Sequence, residues 1–214
     1  MQEIHVPSVK EKNSFFNIHF LELTDIFIHK IASVNWPENY PYQPDVKFII
    51  GHDGKEILLR FFVKEQSVLA LTKEDNGKVW TDSCVEFFIS FDDTGYYNFE
   101  FNCIGKMLLG FRKEKNNCVY ADQHILQKIE RKSSLGNTPF SERKGEQEWE
   151  LSVRIPVFSF FRHLISSLSG LTAKANFYKC GDNLSIPHFL SWNPINNPTP
   201  NFHLEKDFGN IIFE

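Results

Sequence analysis

Two neighbouring segments with a two-residue alternation of apolar and polar side chains constrain the fold of this chain most strongly. Ser83–Asp92 (SCVEFFISFD) and Tyr96–Ile104 (YYNFEFNCI) flank a short turn at Asp93-Thr94-Gly95. Successive side chains of a strand point to opposite faces of a sheet, so this pattern predicts a β-hairpin. A slip of one residue would oppose the apolar face of one strand to the polar face of the other, so odd positions must pair with odd positions.

The predicted hairpin has one apolar and one polar face. The odd-numbered positions are apolar: Val85, Phe87, Ile89, Phe91, Tyr97, Phe99, Phe101 and Cys103. The even-numbered positions include Glu86, Ser90, Asn98, Glu100 and Asn102. We therefore expect a hydrophobic core on one side of this hairpin and a cluster of carboxylates and amides on the other.

The remaining sequence predicts more short strands and one helix. Asp53-Gly54, a strong turn signal, joins the apolar runs Val46–Gly51 and Glu56–Glu65 into a second hairpin. A helix is predicted over Val157–Leu168, between Pro156 and the stop signal Gly170. Further strands are predicted at Lys106–Arg112, Ile125–Glu130, Trp149–Ile155, Thr172–Cys180 and Phe208–Phe213, with Trp149 facing the core.

These elements predict an all-β fold, an antiparallel β-sandwich of immunoglobulin-like or jelly-roll-like form with one short helix. The 22 Phe among 214 residues supply large apolar side chains for its core. We expect one domain over residues 1–214. Within it, residues 1–45 contribute an N-terminal strand and the loop Trp36–Pro44 (WPENYPYQP), which pack on the sandwich.

Charge and hydropathy argue against several partners. The net charge of -4 offers no basic field for nucleic acid or for an anionic membrane surface, and no apolar run is long enough for a membrane-spanning helix. The N-terminus shows no signal peptide, so the chain as given is expected in the cytoplasm, or in the periplasm or medium if a signal was removed. The oligomeric state is not predicted.

The motifs and the spacing of potentially reactive residues give little support for catalysis. The sequence has no GxSxG, P-loop, HExxH or GxGxxG motif. Its four cysteines are far apart with no CxxC pair, so we expect free thiols, and the scattered histidines offer no metal-ligand spacing. Glu86 and Glu100 could form the carboxyl pair of a glycosidase, although sheet faces that carry Glu and Asn are also common under solvent or a polar loop.

Two tryptophans lie outside the strand alternation. Trp80 lies just before the first strand of the hairpin over Ser83–Ile104, and Trp192 lies in a loop-like segment. Indole rings stack on the apolar faces of sugar rings, while nearby carboxylates, amides and guanidinium groups bind the hydroxyls. The alternative is that either ring closes one end of the sandwich, since tryptophan is highly buried on average.

Several motifs resemble family 9 carbohydrate-binding modules. The first stretch is Val79–Ile89 (VWTDSCVEFFI), and the second is Tyr97–Gly105 (YNFEFNCIG). The tail, with Tyr178–Asp182 (YKCGD), His188–Trp192 (HFLSW) and Asp207–Ile211 (DFGNI), is similar to the family 9-like branch of Bacteroidetes-type bacteria. The likeness extends from about Val46 to Glu214.

This resemblance implies a non-catalytic β-sandwich, related to DOMON domains, that binds the end of an oligosaccharide or polysaccharide and acts in the breakdown of polysaccharides such as xylan. It needs no cofactor, although family members often carry a structural calcium. Carried over by position, the sugar-binding residues are Trp80, Glu86, Asn102, Arg112, Trp192 and Asn193. Trp80 and Trp192 are expected to be the two aromatic walls, and Arg112 stands at a spacing from Glu86 that differs from the family pattern.

Two other functions stay open at this point. One is a glycoside hydrolase that uses Glu86 and Glu100. The other is a DOMON-like domain that binds a cofactor or a partner protein, which would show a bound chromophore or a large exposed apolar patch.

Overall fold

The computed structural model describes residues 1–10, 28–113 and 116–214. Within these ranges it has fourteen strands. They are β1 (Glu3–Val6), β2 (His29–Lys30), β3 (Ser33–Val34), β4 (Asp45–His52), β5 (Glu56–Ala70), β6 (Cys84–Asp92), β7 (Gly95–Asn102), β8 (Met107–Arg112), β9 (Cys118–Tyr120), β10 (Glu130–Ser133), β11 (Phe140–Pro156), β12 (Thr172–Cys180), β13 (Phe189–Ser191) and β14 (Gly209–Phe213). One α-helix, α1 (Gln123–Leu126), and three 3₁₀ helices (Val79–Thr81, Val157–Ser159 and Glu205–Asp207) accompany them.

The strands form two sheets. The larger sheet has the order β1-β14-β12-β6-β7-β8-β9, with β13 paired to β12 and β3 paired to β13. The smaller sheet has the order β10-β11-β5-β4-β2. Among the described strand pairs, β1–β14 is parallel and the others are antiparallel. The predicted all-β sandwich is therefore confirmed, with one parallel pair at its edge.

The core lies between the two sheets and follows the predicted alternation. In the β6–β7 hairpin, Val85 pairs with Phe101 and Phe87 with Phe99, so odd positions oppose odd positions as expected. Phe177 of the larger sheet stacks on Phe48 of the smaller sheet, with ring centroids 3.9 Å apart. The predicted hairpin across Asp53-Gly54 and the core position of Trp149 are also confirmed.

The predicted helix over Val157–Leu168 is wrong. The structure has only a 3₁₀ turn at Val157–Ser159, because the buried Phe160 has φ -82° and ψ 63°, outside the helical region. The segment after it makes one further turn bond, from the His163 N–H to the Phe160 carbonyl. It then bonds to the hairpin turn of the smaller sheet: the Leu168 N–H donates to the Gly54 carbonyl, and Lys55 Nζ to the Ser166 carbonyl. Tertiary hydrogen bonds thus replace the helical ones in a stretch rich in serine.

The predicted strand over Ile125–Glu130 is also wrong. The segment begins as helix α1, and the strand starts only at Glu130. Ile125 and Leu126 are adjacent and both buried, which a helix permits and an alternating strand does not.

The N-terminal region contacts the sandwich where it is described. β1 pairs with β14, and the Trp36 indole N–H donates to the Asn197 carbonyl at 2.7 Å. The prediction for residues 1–45 falls partly on residues 11–27, which lie outside the described residues. No helix of the described chain is long and apolar enough to cross a membrane.

A charged cluster joins the two sheets inside the core. Lys179 of β12 and Glu65 of β5 are fully buried, with Nζ and Oε2 2.9 Å apart. The Trp149 indole N–H donates to the other Glu65 oxygen at 2.6 Å, and Lys179 Nζ lies 2.8 Å from His188 Nε2. Burial, and then the charge of Lys179, hold the pKa of His188 well below its usual range, so this ring is neutral and its Nε2 accepts a hydrogen bond from the lysine ammonium group.

Candidate functional site

The polar face of the β6–β7 hairpin is buried, which the sequence did not indicate. A second apolar cluster covers it, separate from the core between the sheets. This cluster joins Phe88, Tyr96 and Tyr178 of the larger sheet to Trp36 and to Phe202 and Phe208 of the C-terminal segment. Phe202 stacks on Tyr178 with ring centroids 4.3 Å apart. The covering loops leave an opening over the carboxylates of the sheet.

This opening is a pocket of about 330 Å³. Strands β6, β7, β8 and β12 supply its floor through Glu86, Glu100, Arg112 and Cys180, and loops and short elements supply the rest. Its other lining residues are Trp80, Asn116, Tyr120, Asp182, Phe189, Pro200, Asn201, Phe202 and His203. The pocket thus combines aromatic rings with buried charges, the pattern that binds small polar ligands.

Trp80 is half-buried at this pocket, and backbone hydrogen bonds fix the position of the loop that carries it. It lies in the 3₁₀ helix Val79–Thr81, and its carbonyl accepts a hydrogen bond from the Asp182 N–H at 3.4 Å. Two residues further on, the buried Asp82 accepts from the N–H groups of Leu71 and Thr72, both at 2.9 Å. Asp82 therefore anchors the loop that presents the indole.

Glu86 and Glu100 lie directly opposite each other on β6 and β7, and each is 3% exposed. Burial raises the pKa of Glu100 to about 7, although an Asn98 hydrogen bond and the Arg112 charge act against this shift. Burial, followed by the neighbouring Cys180 and Glu100, holds the pKa of Glu86 well above its usual range. The pair therefore carries at least one proton near neutral pH, so it can both donate to and accept from ligand hydroxyls.

One oxygen of Glu100 has no hydrogen-bond partner among the described residues. Glu100 Oε1 accepts from the Asn98 amide at 2.8 Å, while the buried Oε2 has none. Leaving a buried carboxyl oxygen unpaired costs about 1–3 kcal/mol. A ligand hydroxyl in the pocket would satisfy it.

Arg112 is positioned through Asn98 and a glycine. The Arg112 Nε–H donates to Asn98 Oδ1 at 3.0 Å, and Asn98 pairs across the strands with Gly110. A Cβ atom at Gly110 would lie 2.8 Å from Asn98 Oδ1 and 2.5 Å from Cys118 Sγ. The missing side chain at Gly110 therefore provides the space in which Asn98 orients the guanidinium group.

We expect Gly110→Ala to weaken both stability and ligand binding. The added methyl group must displace the buried Asn98 amide, an overpacking that typically costs about 1–3 kcal/mol. Urea unfolding measures that loss of stability, and titration calorimetry with the tightest-binding oligosaccharide measures the loss of affinity. A Gly110→Ala protein with the stability and the affinity of the wild type would contradict the role assigned to Gly110.

The raised pKa of Glu100 leads us to expect that the stability of the protein depends on pH. Its pKa in the folded protein, about 7, lies above the ordinary value of 4.5, so the folded protein binds more protons than the unfolded chain between these values. Its contribution to the free energy of unfolding is therefore fully present below the lower value and is lost as the pH rises towards 7. Each unit of pKa difference corresponds to about 1.4 kcal/mol.

Glu100→Gln tests this dependence. We expect urea unfolding at about pH 5 and about pH 8 to show a smaller loss of stability with rising pH in the variant than in the wild type. His188 contributes in the opposite direction in both proteins, so the difference between them reports Glu100 together with its effect on the neighbouring Glu86. Identical pH profiles would show that Glu100 titrates normally.

Two residues predicted for the site lie elsewhere. Trp192 is 3% exposed and belongs to the core between the sheets. Its ring packs edge-to-face with Phe177, with ring centroids 5.8 Å apart. Its ring occupies the space left by Gly209, where a Cβ would lie 2.5 Å from the indole. Asn193 is 7% exposed, and its side chain binds the Gln2 N–H and the Asp207 carbonyl. The prediction that Trp192 forms a pocket wall is therefore wrong, since the ring closes the sandwich.

Asn102 shares the polar face of the hairpin with Glu86, as predicted, but does not line the pocket. It is fully buried, and its amide donates to Asp82 Oδ2 at 2.9 Å. Its carbonyl oxygen accepts from the Lys106 N–H at 2.8 Å. Asn102 thus supports the loop that carries Trp80.

The structure adds aromatic residues that the sequence did not single out. Tyr120, Phe189 and Phe202 line the pocket beside Trp80, and Tyr120 is 49% exposed. Phe189 and Phe202 come from segments without strong alternation, and Tyr120 is the last residue of the short edge strand β9. Their only sequence signal is that they are aromatic and lie outside long alternating strands.

A larger cavity of about 560 Å³ lies at another part of the same sheet. Its charged lining is mainly acidic, with Glu3, Asp92, Asp93 and Glu205 around Lys174. Phe91 is its one aromatic lining residue among those described. Because it lacks a set of exposed rings and a buried unpaired polar atom, we place the functional site at the smaller pocket.

One cluster of side chains among the described residues could hold a metal ion, and its donors do not suit calcium. In ranges 1–10, 28–113 and 116–214, the only group of three or more His, Cys, Asp or Glu donors that could hold a metal is Cys84, Glu86 and Cys180. Calcium takes six to eight oxygen ligands, and two of these donors are sulfur. All four cysteines are free, as predicted.

Comparisons with known proteins agree with this architecture. The family model "Carbohydrate-binding family 9" matches residues 16–213. The crystal structure of a candidate carbohydrate-binding protein from Bacteroides uniformis ATCC 8492 is 44% identical, with a TM-score of 0.93 over 100% of this chain and 99% of that one. A search of curated proteins found no significant match.

Two more distant structures share the fold. They are family 9 modules from Caldicellulosiruptor kristjanssonii in complex with glucose and with cellotriose, each 14% identical to this chain. Their TM-scores are 0.59 and 0.62, over 100% of this chain and 96% and 94% of theirs. The fold is thus that of a sandwich-type binding module. The chain belongs to carbohydrate-binding family 9.

Proposed function

We propose that this protein binds carbohydrate without cleaving it, at the pocket that contains Trp80, Glu86, Glu100 and Arg112. The observation that carries the proposal is the combination of the half-exposed indole with the unpaired Glu100 Oε2 at one opening of the larger sheet. The ring offers an apolar plane to a sugar, and the carboxyl offers an acceptor for its hydroxyl. Family membership supports the same function.

The ligand is proposed to be the end of an oligosaccharide or polysaccharide. A volume of about 330 Å³ is at the small end of ligand pockets, which suits a few sugar rings and not a long chain. Glucose and cellotriose in the distant relatives favour β-linked glucose polymers as first candidates, and xylan remains a second. A role beside polysaccharide-degrading enzymes extends this proposal. A DOMON-like cofactor function has no specific support among the described residues.

Titration calorimetry with glucose and with cello- and xylo-oligosaccharides of increasing length tests the proposal. We expect saturable heat of binding with one sugar per chain and a modest affinity, because each hydroxyl must exchange its water hydrogen bonds for protein ones. Affinity should stop rising once the chain exceeds the pocket. No heat with any member of a broad glycan panel would refute the function.

The glycoside hydrolase alternative makes a separate prediction. A hydrolase that uses Glu86 and Glu100 would turn over aryl glycosides, and Glu86→Gln would abolish this turnover. We expect no turnover in either protein. Measurable hydrolysis that disappears in the variant would replace the binding proposal.

A further inference from the structure

Three possible metal ligands converge at the floor of the pocket. Cys84 of β6 and Cys180 of β12 pair directly across the two strands, and both belong to the cluster on the outer face of the larger sheet. Glu86 follows Cys84 by two residues, so its side chain points to the same face. Antiparallel strands therefore place two thiols and one carboxylate within reach of a single ion.

The distances suit tetrahedral coordination. One donor atom from each of the three residues lies within 4.8 Å of the others, and Cys180 Sγ is 3.1 Å from Glu86 Oε1. A tetrahedral zinc ion with metal–ligand bonds of about 2.0–2.3 Å separates neighbouring ligand atoms by roughly 3.5 Å. Small side-chain rotations would close the remaining difference without moving the strands.

From this geometry we propose that Cys84, Glu86 and Cys180 form a binding site for a thiophilic divalent cation of the zinc class. Thiolate sulfur selects such ions over magnesium and calcium, which prefer oxygen. Glu86 and Cys180 both line the pocket, so the cation has a path from solvent. Three protein ligands leave a fourth position for water or a ligand oxygen.

The metal site shares Glu86 and Cys180 with the lining of the proposed sugar pocket, so metal binding is measured without sugar, and failure to bind metal leaves the sugar proposal standing. Cobalt(II) is the probe, because tetrahedral thiolate coordination gives it a sulfur-to-cobalt charge-transfer absorption and intense visible bands. We expect one cobalt per chain, displaced by one equivalent of zinc. Before the titration, the protein is reduced and treated with chelator, so that the thiols are free of metal.

Variants assign the ligands. We expect Cys180→Ser to lower cobalt affinity by at least about tenfold and to weaken the charge-transfer band, since even residues outside the ligand set commonly change affinity by 10–100-fold. Glu86→Gln should lower affinity while keeping the band, because both thiolates remain. Cys118→Ser is the matched control, since Cys118 is a free, half-buried cysteine outside the cluster, and it should bind cobalt like the wild type.

Several results would overturn the proposal. These are the absence of a charge-transfer band, a band of undiminished intensity and affinity in Cys180→Ser, or a band that weakens equally in Cys118→Ser. Circular dichroism confirms that each variant is folded. If Cys180→Ser does not fold, Glu86→Gln and Cys84→Ser decide the same question. Recovery of a Cys84–Cys180 disulfide from protein prepared with zinc would also refute the site.

Discussion

Trp80→Ala should lower sugar affinity by at least about 30-fold, which corresponds to about 2 kcal/mol. The indole is the largest half-exposed aromatic side chain at the pocket, and its removal takes away the apolar plane on which a sugar ring would stack. The floor of the pocket belongs to strands β6, β7, β8 and β12, so the carboxyl groups should stay in place. Calorimetry with the tightest-binding oligosaccharide measures the change.

Phe158→Ala is the matched control for loss of an aromatic ring. Phe158 is 50% exposed and does not line the pocket, so its replacement should leave the affinity within about twofold of the wild type. Trp80→Phe should retain part of the affinity because it keeps a planar ring. If Trp80→Ala binds as tightly as the wild type, the ring is not a binding surface.

Lys179→Met should destabilise the fold by about 3–5 kcal/mol, since it leaves the fully buried Glu65 carboxylate without its cation. The loss should appear as a lower urea midpoint with little change in the denaturant slope. The Trp149 indole cannot compensate, because it already donates its single N–H to Glu65.

Two further variants test the cause of that loss. Adding Glu65→Gln to Lys179→Met removes the unpaired charge, and we expect it to recover part of the stability. Lys64→Met is the surface control: Lys64 also forms ion pairs, with Glu146 and Glu148, but its side chain is 45% exposed. Its replacement should have little effect because solvent screens such pairs. A Lys179→Met protein as stable as Lys64→Met would show that the buried pair contributes no net stability.

Most of the sheet structure could be predicted from the sequence, because strand alternation is a local property. Alternation over β6 and β7 required odd positions to oppose odd positions, as the Phe87–Phe99 pair does, and placed Glu86 and Glu100 on the same face. The conformation of Val157–Leu168, which was predicted to be a helix, does not follow from a local pattern. Its backbone partners lie in the turn at Gly54, more than 100 residues earlier in the chain.

The candidate site was predicted in part. Trp80, Glu86 and Arg112 do share one pocket, whereas Trp192, Asn193 and Asn102 lie outside it. Trp80 and Trp192 look alike in sequence, because each lies outside the strand alternation. Only the packing of the second sheet decides that the Trp192 ring fills the space beside Gly209.

The sequence contains an indication of the buried Lys179–Glu65 pair, because each residue interrupts an apolar strand face. Ala175 and Phe177 precede Lys179 at core-facing positions, so the lysine interrupts an apolar face, and Glu65 does the same after Phe61 and Val63. Such interruptions on two strands indicate a buried ion pair, because a lone buried charge is too costly to keep. Which two residues meet depends on how the sheets are stacked.

The sequence by itself determined which faces of the strands are apolar, and therefore that the chain folds into a β-sandwich with the Glu86 and Glu100 carboxyls on one side. Only the tertiary structure decided that this polar side is buried beneath a second apolar cluster, and that Trp80, Tyr120 and Phe202 surround the opening left in it. Alternation along a strand is set by bond geometry between near neighbours. The pocket forms between segments far apart in the chain, whose contacts no local pattern specifies.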